Sequence, residues 1–247
     1  YGCNEMCIHC YNPNSPRKEC FAKKIDPHEM ELRDYYSVLD QLEQMGVPKV
    51  LFTGGDPFVK KDFIKILQYA HKKKFAVSIY TNGLSLFAKQ ELLNQVLECF
   101  PHTIGLSLYS TTPEIHDSIT RISGSCQKTM SIAEKLKDNG IGMLIKCPIM
   151  KYNKDTYRNV YDFALSVNAV PEFEINITSG VDGDTYAVDE LRLSEEEMTK
   201  LLNDPIIPLS AKRKKITRAD KRRPEMKFCG AGIDAFNIQP DGTVTPC

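Results

Sequence analysis

The stretch Tyr1-Gly-Cys-Asn-Glu-Met-Cys-Ile-His-Cys-Tyr11 contains three cysteines, Cys3, Cys7 and Cys10, in the spacing C-x3-C-x2-C. So close a set is typical of metal binding or catalysis in a chain whose cysteines stay reduced. The spacing leaves three kinds of site open: a zinc site completed by Cys20 or a more distant cysteine, a disulfide with one thiol left over, and an iron–sulfur cluster. Three thiolates on a four-iron cluster would leave one iron open to an exogenous ligand.

The segments that follow alternate between helix-like and strand-like apolar patterns. The predicted helices are 27–45, 62–71, 89–100, 127–139 and 155–167, and the predicted strands are 47–53, 75–80, 103–108, 141–149 and 172–178. This alternation predicts βαβ units with a parallel sheet, and therefore an α/β fold, as an open sheet or a barrel. In either fold, functional residues lie at the carboxyl ends of the strands. The polar segments 54–57, 81–83 and 107–110 fall at such ends.

The composition limits the classes of protein to which the chain can belong. Its 247 residues suit one large domain, or one domain with a small module. The 32 Lys and Arg residues balance the 32 Asp and Glu residues, so no overall positive charge points to nucleic acid. No apolar run approaches the roughly 18 residues of a membrane helix, and no signal peptide opens the chain. We therefore expect a cytoplasmic protein, without nucleic acid or membrane as partners. Because residue 1 is Tyr rather than Met and the last residue is Cys247, we also expect an excerpt of a longer chain.

The neutral total hides two oppositely charged segments. Residues 172–197 carry nine acidic side chains and one basic side chain, whereas residues 211–227 carry nine basic and two acidic side chains. We interpret both segments as solvated surface or linker. The alternative is that the basic segment faces an acidic peptide or another partner.

A second motif, Gly54-Gly55-Asp56-Pro57, directly follows the first predicted strand. Glycines allow a backbone to approach a ligand closely, and a carboxylate can accept a charge-assisted hydrogen bond from an ammonium group. Together with the cysteine triplet, this motif resembles the radical S-adenosylmethionine (SAM) superfamily, and the resemblance covers residues 1–178. It implies a partial (β/α)6 TIM-like barrel in which the three cysteines hold a [4Fe–4S] cluster, while SAM binds the open iron.

The resemblance also implies contacts between SAM and individual side chains of this sequence. The second motif would position the SAM amino group, although its Asp56 is one methylene shorter than the glutamate usual in the family. The other side chains that the resemblance places near SAM are His9 beside the adenine, Ser107 at the ribose or carboxylate, Arg121 at the carboxylate, and Thr81 and Asn82 at the end of a strand on the active face.

Two cysteines near the end form a separate pattern. Cys229 and Cys247 stand in C-x12-G-x4-C around the predicted hairpin turn Pro240-Asp241-Gly242. This resembles the opening of the SPASM domain, whose hairpin holds two cysteines of an auxiliary iron–sulfur cluster. A zinc hairpin or a chance spacing are the alternatives. The remaining cysteines show no such spacing; they are Cys20 and Cys126, and the predicted core residues Cys99 and Cys147.

These resemblances predict a domain organisation. We expect a radical SAM partial barrel over 1–209, whose first strand precedes Tyr1, then a basic linker over 210–227. Residues 228–247 would be the start of a SPASM-type domain with a β-hairpin.

The function implied by the resemblance is reductive cleavage of SAM to methionine and a 5′-deoxyadenosyl radical, which abstracts hydrogen from a substrate. A peptide or protein substrate is expected, with flavodoxin or ferredoxin as electron donor. The alternatives are maturation of a tetrapyrrole or metallocofactor, and a non-enzymatic iron–sulfur or zinc module. The second motif, residues 54–57, argues against the non-enzymatic module, because a pure electron carrier needs no SAM pocket.

Overall fold

A computed structural model describes residues 2–12, 29–180, 183–207 and 231–246 of the chain. Five parallel strands form one sheet in the order in which they occur in the sequence. They are β1 (Lys49–Phe52), β2 (Ala76–Thr81), β3 (Thr103–Ser107), β4 (Met143–Pro148) and β5 (Val170–Glu174). The predicted α/β fold with a parallel sheet is confirmed. Cys20, Cys229, Cys247 and the predicted linker lie outside the described residues.

Helices precede, connect and follow these strands. They are α1 (Leu32–Gln44), α2 (Phe63–Lys72), α3 (Leu84–Ala88), α4 (Gln90–Glu98), α5 (Pro113–Thr120), α6 (Ser125–Asp138), α7 (Tyr157–Ser166) and α8 (Glu195–Leu202). A 3₁₀ turn spans Pro57–Val59 and a π-helical turn spans Ala187–Leu191. Among the described residues, none of the helices is long and apolar enough to cross a membrane.

The core lies between the sheet and the helices because side chains alternate across each strand. Burial alternates along β2 and β4, and the inward-pointing Ile79, Leu106 and Ile145 are fully buried. Cys99 and Cys147 belong to the same core cluster, which confirms their predicted place. The opposite face carries half-buried side chains such as Tyr80 and Lys146.

Several predicted boundaries need correction. Helix α1 begins at Leu32 rather than at 27, because Glu31 and Asp34 form a reciprocal capping box at its start. The last strand of the sheet begins at Val170 and ends at Glu174, so residues 175–178 are not part of it. Helices α3, α5 and α8 were not predicted, since each is short and shows only a brief apolar periodicity.

A small antiparallel hairpin follows the barrel segment. Its strands are β6 (Asn237–Ile238) and β7 (Val244–Thr245). Gly242 adopts φ 87°, a left-handed conformation that glycine takes without strain, and Asp241 Oδ1 accepts from Thr243 N at 2.9 Å. The hairpin therefore lies where its turn residues predict it.

Candidate active site

The cysteine loop, residues 2–12, is tied to the end of helix α5. The backbone N–H of Met6 donates to Thr120 O and that of Ile8 donates to Ile119 O, each at 2.9 Å. Ile8 and Ile119 are buried in the same apolar cluster. These contacts fix the centre of the loop, where Cys7 lies, against the carboxyl side of the sheet.

The two ends of the cysteine loop contact the glycine motif after β1. Asp56 N donates to Gly2 O at 2.8 Å, and Asn12 Nδ2 donates to Gly54 O at 3.2 Å. Gly54 has φ 136°, a conformation that favours glycine, and the space beside its Cα is open. The two motifs that are far apart in sequence therefore meet at one edge of the sheet.

The Asp56 carboxylate is buried and has three hydrogen-bond donors from the protein. Oδ1 accepts from Phe58 N at 3.0 Å, which caps the 3₁₀ turn, and Oδ2 accepts from Thr81 Oγ1 at 2.5 Å and Asn82 N at 3.0 Å. Burial raises the pKa of this carboxyl and the three donors oppose that rise. The carboxylate therefore joins the turn after β1 to the turn after β2. Its expected contact with the SAM amine stays a prediction.

The side chain of Asn82 continues this connection to the cysteine loop. Its Nδ2 donates to Asn4 Oδ1 at 2.7 Å and lies 3.8 Å from Cys3 Sγ. Its Oδ1 accepts from Leu84 N at 2.9 Å. The backbone N–H of Glu5 donates to the same Cys3 sulfur at 3.4 Å. The Cys3 sulfur therefore faces two N–H donors.

The Cys7 thiol has different neighbours. It donates to Glu5 Oε2 at 3.2 Å, and its sulfur lies 3.7 Å from the Tyr109 hydroxyl, which also bonds to Ser107. Glu5 is 4% exposed, and its Oε1 has no hydrogen-bond partner among the described residues. Burial raises the pKa of the Glu5 carboxyl to about 8, because the charged form is poorly solvated there.

An aromatic cluster supports this side of the loop. The Tyr109 ring meets the His9 ring edge-on at 4.8 Å and stacks on the His116 ring at 5.3 Å. His116 Nδ1 accepts from Tyr109 N at 3.1 Å, so the neutral ring carries its proton on Nε2. Burial lowers the pKa of His116 to about 4. His9 therefore lies against a tyrosine in this structure, and its predicted contact with adenine stays a prediction.

The thiols fit the chemistry of an iron–sulfur cluster. Burial raises the pKa of Cys3 to about 12 and that of Cys7 well above its ordinary value, and the Asp56 and Glu5 carboxylates add to these rises. Thiolates form in such surroundings when a metal lies beside them, since a coordinated thiol loses its proton. Among the described residues, no group of three His, Cys, Asp or Glu side chains could hold a single metal ion. Three thiols on one loop suit thiolates that bind a cluster, and the Cys3 and Cys7 sulfurs both lie beside hydrogen-bonding groups.

The other predicted site residues lie along the same edge. Ser107 ends β3, while Gly55 and Pro57 flank the buried Asp56. Arg121 is exposed and ends α5 with φ 58°, directly after the Thr120 carbonyl that binds the cysteine loop. The contacts of these residues with SAM stay predictions.

Sequence reasoning missed four residues of this site. They are Asn4, Glu5, Tyr109 and His116. A signal was present for Glu5 in the sequence. An acidic residue between two candidate thiolate ligands is unusual, because its negative charge lies beside theirs. Tyr109 lies two residues beyond Ser107, so the predicted strand end indicated its neighbourhood but not its orientation.

Comparison with known proteins identifies relatives of the chain. The family model described as the radical SAM superfamily matches residues 1–164. The antilisterial bacteriocin subtilosin biosynthesis protein AlbA of Bacillus subtilis (strain 168) is 29% identical over 259 residues, which cover 99% of this chain and 52% of that protein. The PqqA peptide cyclase of Ruegeria pomeroyi is 25% identical over 99% of this chain and 64% of its own length. The chain thus spans only part of the length of these relatives.

A solved structure supports the fold. Streptococcus suis SuiB superposes with a TM-score of 0.67 and 14% identity, over 99% of this chain and 57% of that chain. SuiB bound to its precursor peptide SuiA gives a TM-score of 0.62 and 17% identity over the same shares. The parallel sheet and its helices are therefore arranged as in SuiB.

Proposed function

Since the chain belongs to the radical SAM superfamily, we propose that it is part of an enzyme that cleaves SAM reductively and modifies a peptide or protein. The 5′-deoxyadenosyl radical abstracts a hydrogen atom from the substrate. The observation that carries the proposal is the junction of Cys3, Asn82 and Asp56 at one edge of the sheet. That junction brings the cysteine loop and the glycine motif into a single site.

Each part of this chain has a task in the proposed reaction. When bound, the [4Fe–4S] cluster supplies the electron that cleaves SAM, and the protein supplies orientation and exclusion of competing reactions. Cys3, Cys7 and Cys10 hold the cluster. The open space beside Gly54 leaves room for a ligand to approach the backbone there. The predicted contacts of Ser107 and the other side chains with SAM belong to the same proposal.

Relatives support a peptide substrate. AlbA takes part in subtilosin biosynthesis and the PqqA peptide cyclase acts on a peptide, by their names, and both align with nearly the whole chain. The precursor peptide SuiA binds SuiB, which shares the fold. An auxiliary iron–sulfur cluster that uses Cys229 and Cys247, and a flavodoxin or ferredoxin electron donor, are part of the proposal.

SAM cleavage is the direct test. The full-length protein, reconstituted with iron and sulfide without oxygen, should release 5′-deoxyadenosine when a reductant and SAM are added. Replacing Cys3, Cys7 and Cys10 with Ala should abolish the release, while Cys99→Ala, at a cysteine in the core, should retain it. No release from a cluster-loaded wild-type protein would refute the activity, and release by the triple variant would refute the ligand assignment.

The substrate class needs a separate measurement. Short open reading frames beside the gene would be expressed with the protein, and their products examined for a mass change that depends on SAM. A modified peptide supports the proposal. Turnover of a tetrapyrrole or metallocofactor precursor, with all neighbouring peptides unchanged, would replace it with a cofactor-maturing function.

A further inference from the structure

Asn82 is held in one orientation by its polar atoms. It is 5% exposed, its backbone N–H donates to Asp56 Oδ2 at 3.0 Å, and its carbonyl accepts from Thr129 Oγ1 at 2.7 Å. Its side-chain Oδ1 accepts from Leu84 N at 2.9 Å. Because this oxygen faces a backbone N–H, the amide nitrogen must point the other way, toward the cysteine loop.

The two N–H groups of that amide have two different acceptors. One acceptor is Asn4 Oδ1 at 2.7 Å, and the other is the sulfur of Cys3 at 3.8 Å. Asn4 is itself fixed, because its Nδ2 donates to Ser85 Oγ at 3.2 Å. The contact between Asn82 and Cys3 therefore belongs to a partly buried network of side-chain hydrogen bonds.

We infer that Asn82 is a positioning residue for the cluster, whose amide donates to the Cys3 thiolate and raises the reduction potential of the cluster. This inference rests on the proposed function, and it places the Asn82 amide beside a cluster ligand. A hydrogen bond to a cluster sulfur stabilises the electron-rich reduced state more than the oxidised state. The backbone N–H of Glu5 is the second donor to the same sulfur.

Two substitutions remove the donor and preserve the turn. Asn82→Ser keeps a hydroxyl that can accept from Leu84 N, as in a serine turn, but the side chain is too short to reach Cys3. Asn82→Asp keeps the shape and the acceptor oxygen and loses the N–H groups. The matched control is Ser85→Ala, which removes the acceptor of Asn4 and leaves the amide of Asn82 in place.

The measurement is a reductive titration of the full chain after anaerobic reconstitution, followed by electron paramagnetic resonance. Iron and sulfide contents establish equal loading, and the signal that changes on addition of SAM identifies the cluster of Cys3, Cys7 and Cys10. We expect the equilibrium constant for one-electron reduction to fall about fivefold in Asn82→Ser, to fall by more in Asn82→Asp because its carboxylate also adds a negative charge beside the cluster ligand, and to stay at the wild-type value in Ser85→Ala. Wild-type potentials in the Asn82 variants would overturn the inference.

A second measurement needs no variant. In wild-type protein labelled with ¹⁵N only in asparagine side chains, electron–nuclear double resonance of the reduced cluster should show a coupled nitrogen. An absent coupling overturns the inference, even if the variants fail to fold. A wild-type protein without a SAM-responsive signal overturns the proposed function as well. A SAM-responsive wild type whose potential is unaffected by Asn82 substitution overturns the inference alone.

Discussion

The Cys3 side and the Cys7 side of the same short loop are built in different ways. The Cys3 sulfur faces a backbone N–H and the Asn82 amide, which do not titrate, and Asn82 is bound to the buried Asp56 carboxylate. The Cys7 sulfur faces the Glu5 carboxyl group and the hydroxyl of Tyr109, and the ring of Tyr109 stacks on the buried His116. One side is thus fixed by turns at strand ends, and the other depends on the burial of titratable groups.

Asp56→Ala should have the largest effect, because it breaks the connection on the Cys3 side. Two backbone N–H groups and the Thr81 hydroxyl would lose their acceptor in a buried place. We expect the free energy of unfolding of the cluster-free chain to fall by about 4 kcal/mol, measured in urea.

Asp62→Ala is the matched control for this prediction. Asp62 also precedes a helix, but its side chain makes no capping hydrogen bond and pairs with the exposed Lys65. Its loss should leave the free energy of unfolding nearly unchanged, because an exposed ion pair contributes little. Equal effects of the two substitutions would show that Asp56 does not join the two turns.

His116 should give the Cys7 side a pH dependence. The unfolded chain binds a proton at His116 below about pH 6.5, whereas the folded chain does so only near pH 4. The contribution of His116 is therefore complete above pH 6.5 and is lost as the pH falls to 4, by about 3 kcal/mol, whereas the raised pKa of Glu5 makes a contribution of opposite sign that is lost as the pH rises toward 8. Urea unfolding at several pH values should show that His116→Asn, which keeps an acceptor for Tyr109 N, weakens this dependence.

An unchanged pH dependence in His116→Asn would contradict the assignment to the histidine. Asp117 is the nearest competing group; burial opposes the shift, but hydrogen bonds from Cys126 N, Gly124 N and Ser125 Oγ lower its pKa. Its contribution is lost as the pH falls below the ordinary range of a carboxyl group, not near pH 6. The two contributions therefore separate along the pH axis.

The sheet face that carries Tyr80 and Lys146 has no room for a side chain at Gly105. A Cβ at Gly105 would lie 2.6 Å from Tyr80 Cδ1 and 3.1 Å from Lys146 Cδ, and the Lys146 ammonium lies 4.2 Å from the centre of the Tyr80 ring. Gly105→Ala should therefore lower the free energy of unfolding by about 2 kcal/mol. In a Tyr80→Ala background the same substitution should cost much less, and an equal cost there would show that the clash with Tyr80 is not the cause.

The sequence predicted the Cys3 side better than the Cys7 side, for a physical reason. Turn motifs such as residues 54–57 are local, and the periodicity of the strands places them at one edge of the sheet. The burial of Glu5 depends on packing of the loop against Tyr109 and helix α5, and no local pattern specifies that packing. Helix α8 did have a local signal that was not used, because Ser194 and Glu197 form a capping box.

The smallest expected effect is the coupling between the two sides. Tyr109→Phe removes a hydroxyl near Cys7 and Ser107 and should cost about 1 kcal/mol of the free energy of unfolding. Asn82→Ser acts on the Cys3 side. Among the described residues, the side chains of Asn82 and Tyr109 share no hydrogen-bond partner. Their effects in the double variant should therefore add within about 0.5 kcal/mol.

A larger coupling would show that the two sides act as one unit. Glu5 hydrogen-bonds to both sulfurs, through its backbone N–H to Cys3 and its carboxyl group to Cys7. Glu5→Gln keeps the backbone donor and the shape of the side chain. If the effects of Tyr109→Phe and Asn82→Ser are additive in the wild type, they should therefore stay additive in this background. If the coupling is large in the wild-type background and disappears in Glu5→Gln, the carboxyl group of Glu5 carries it, and the two sides are not independent.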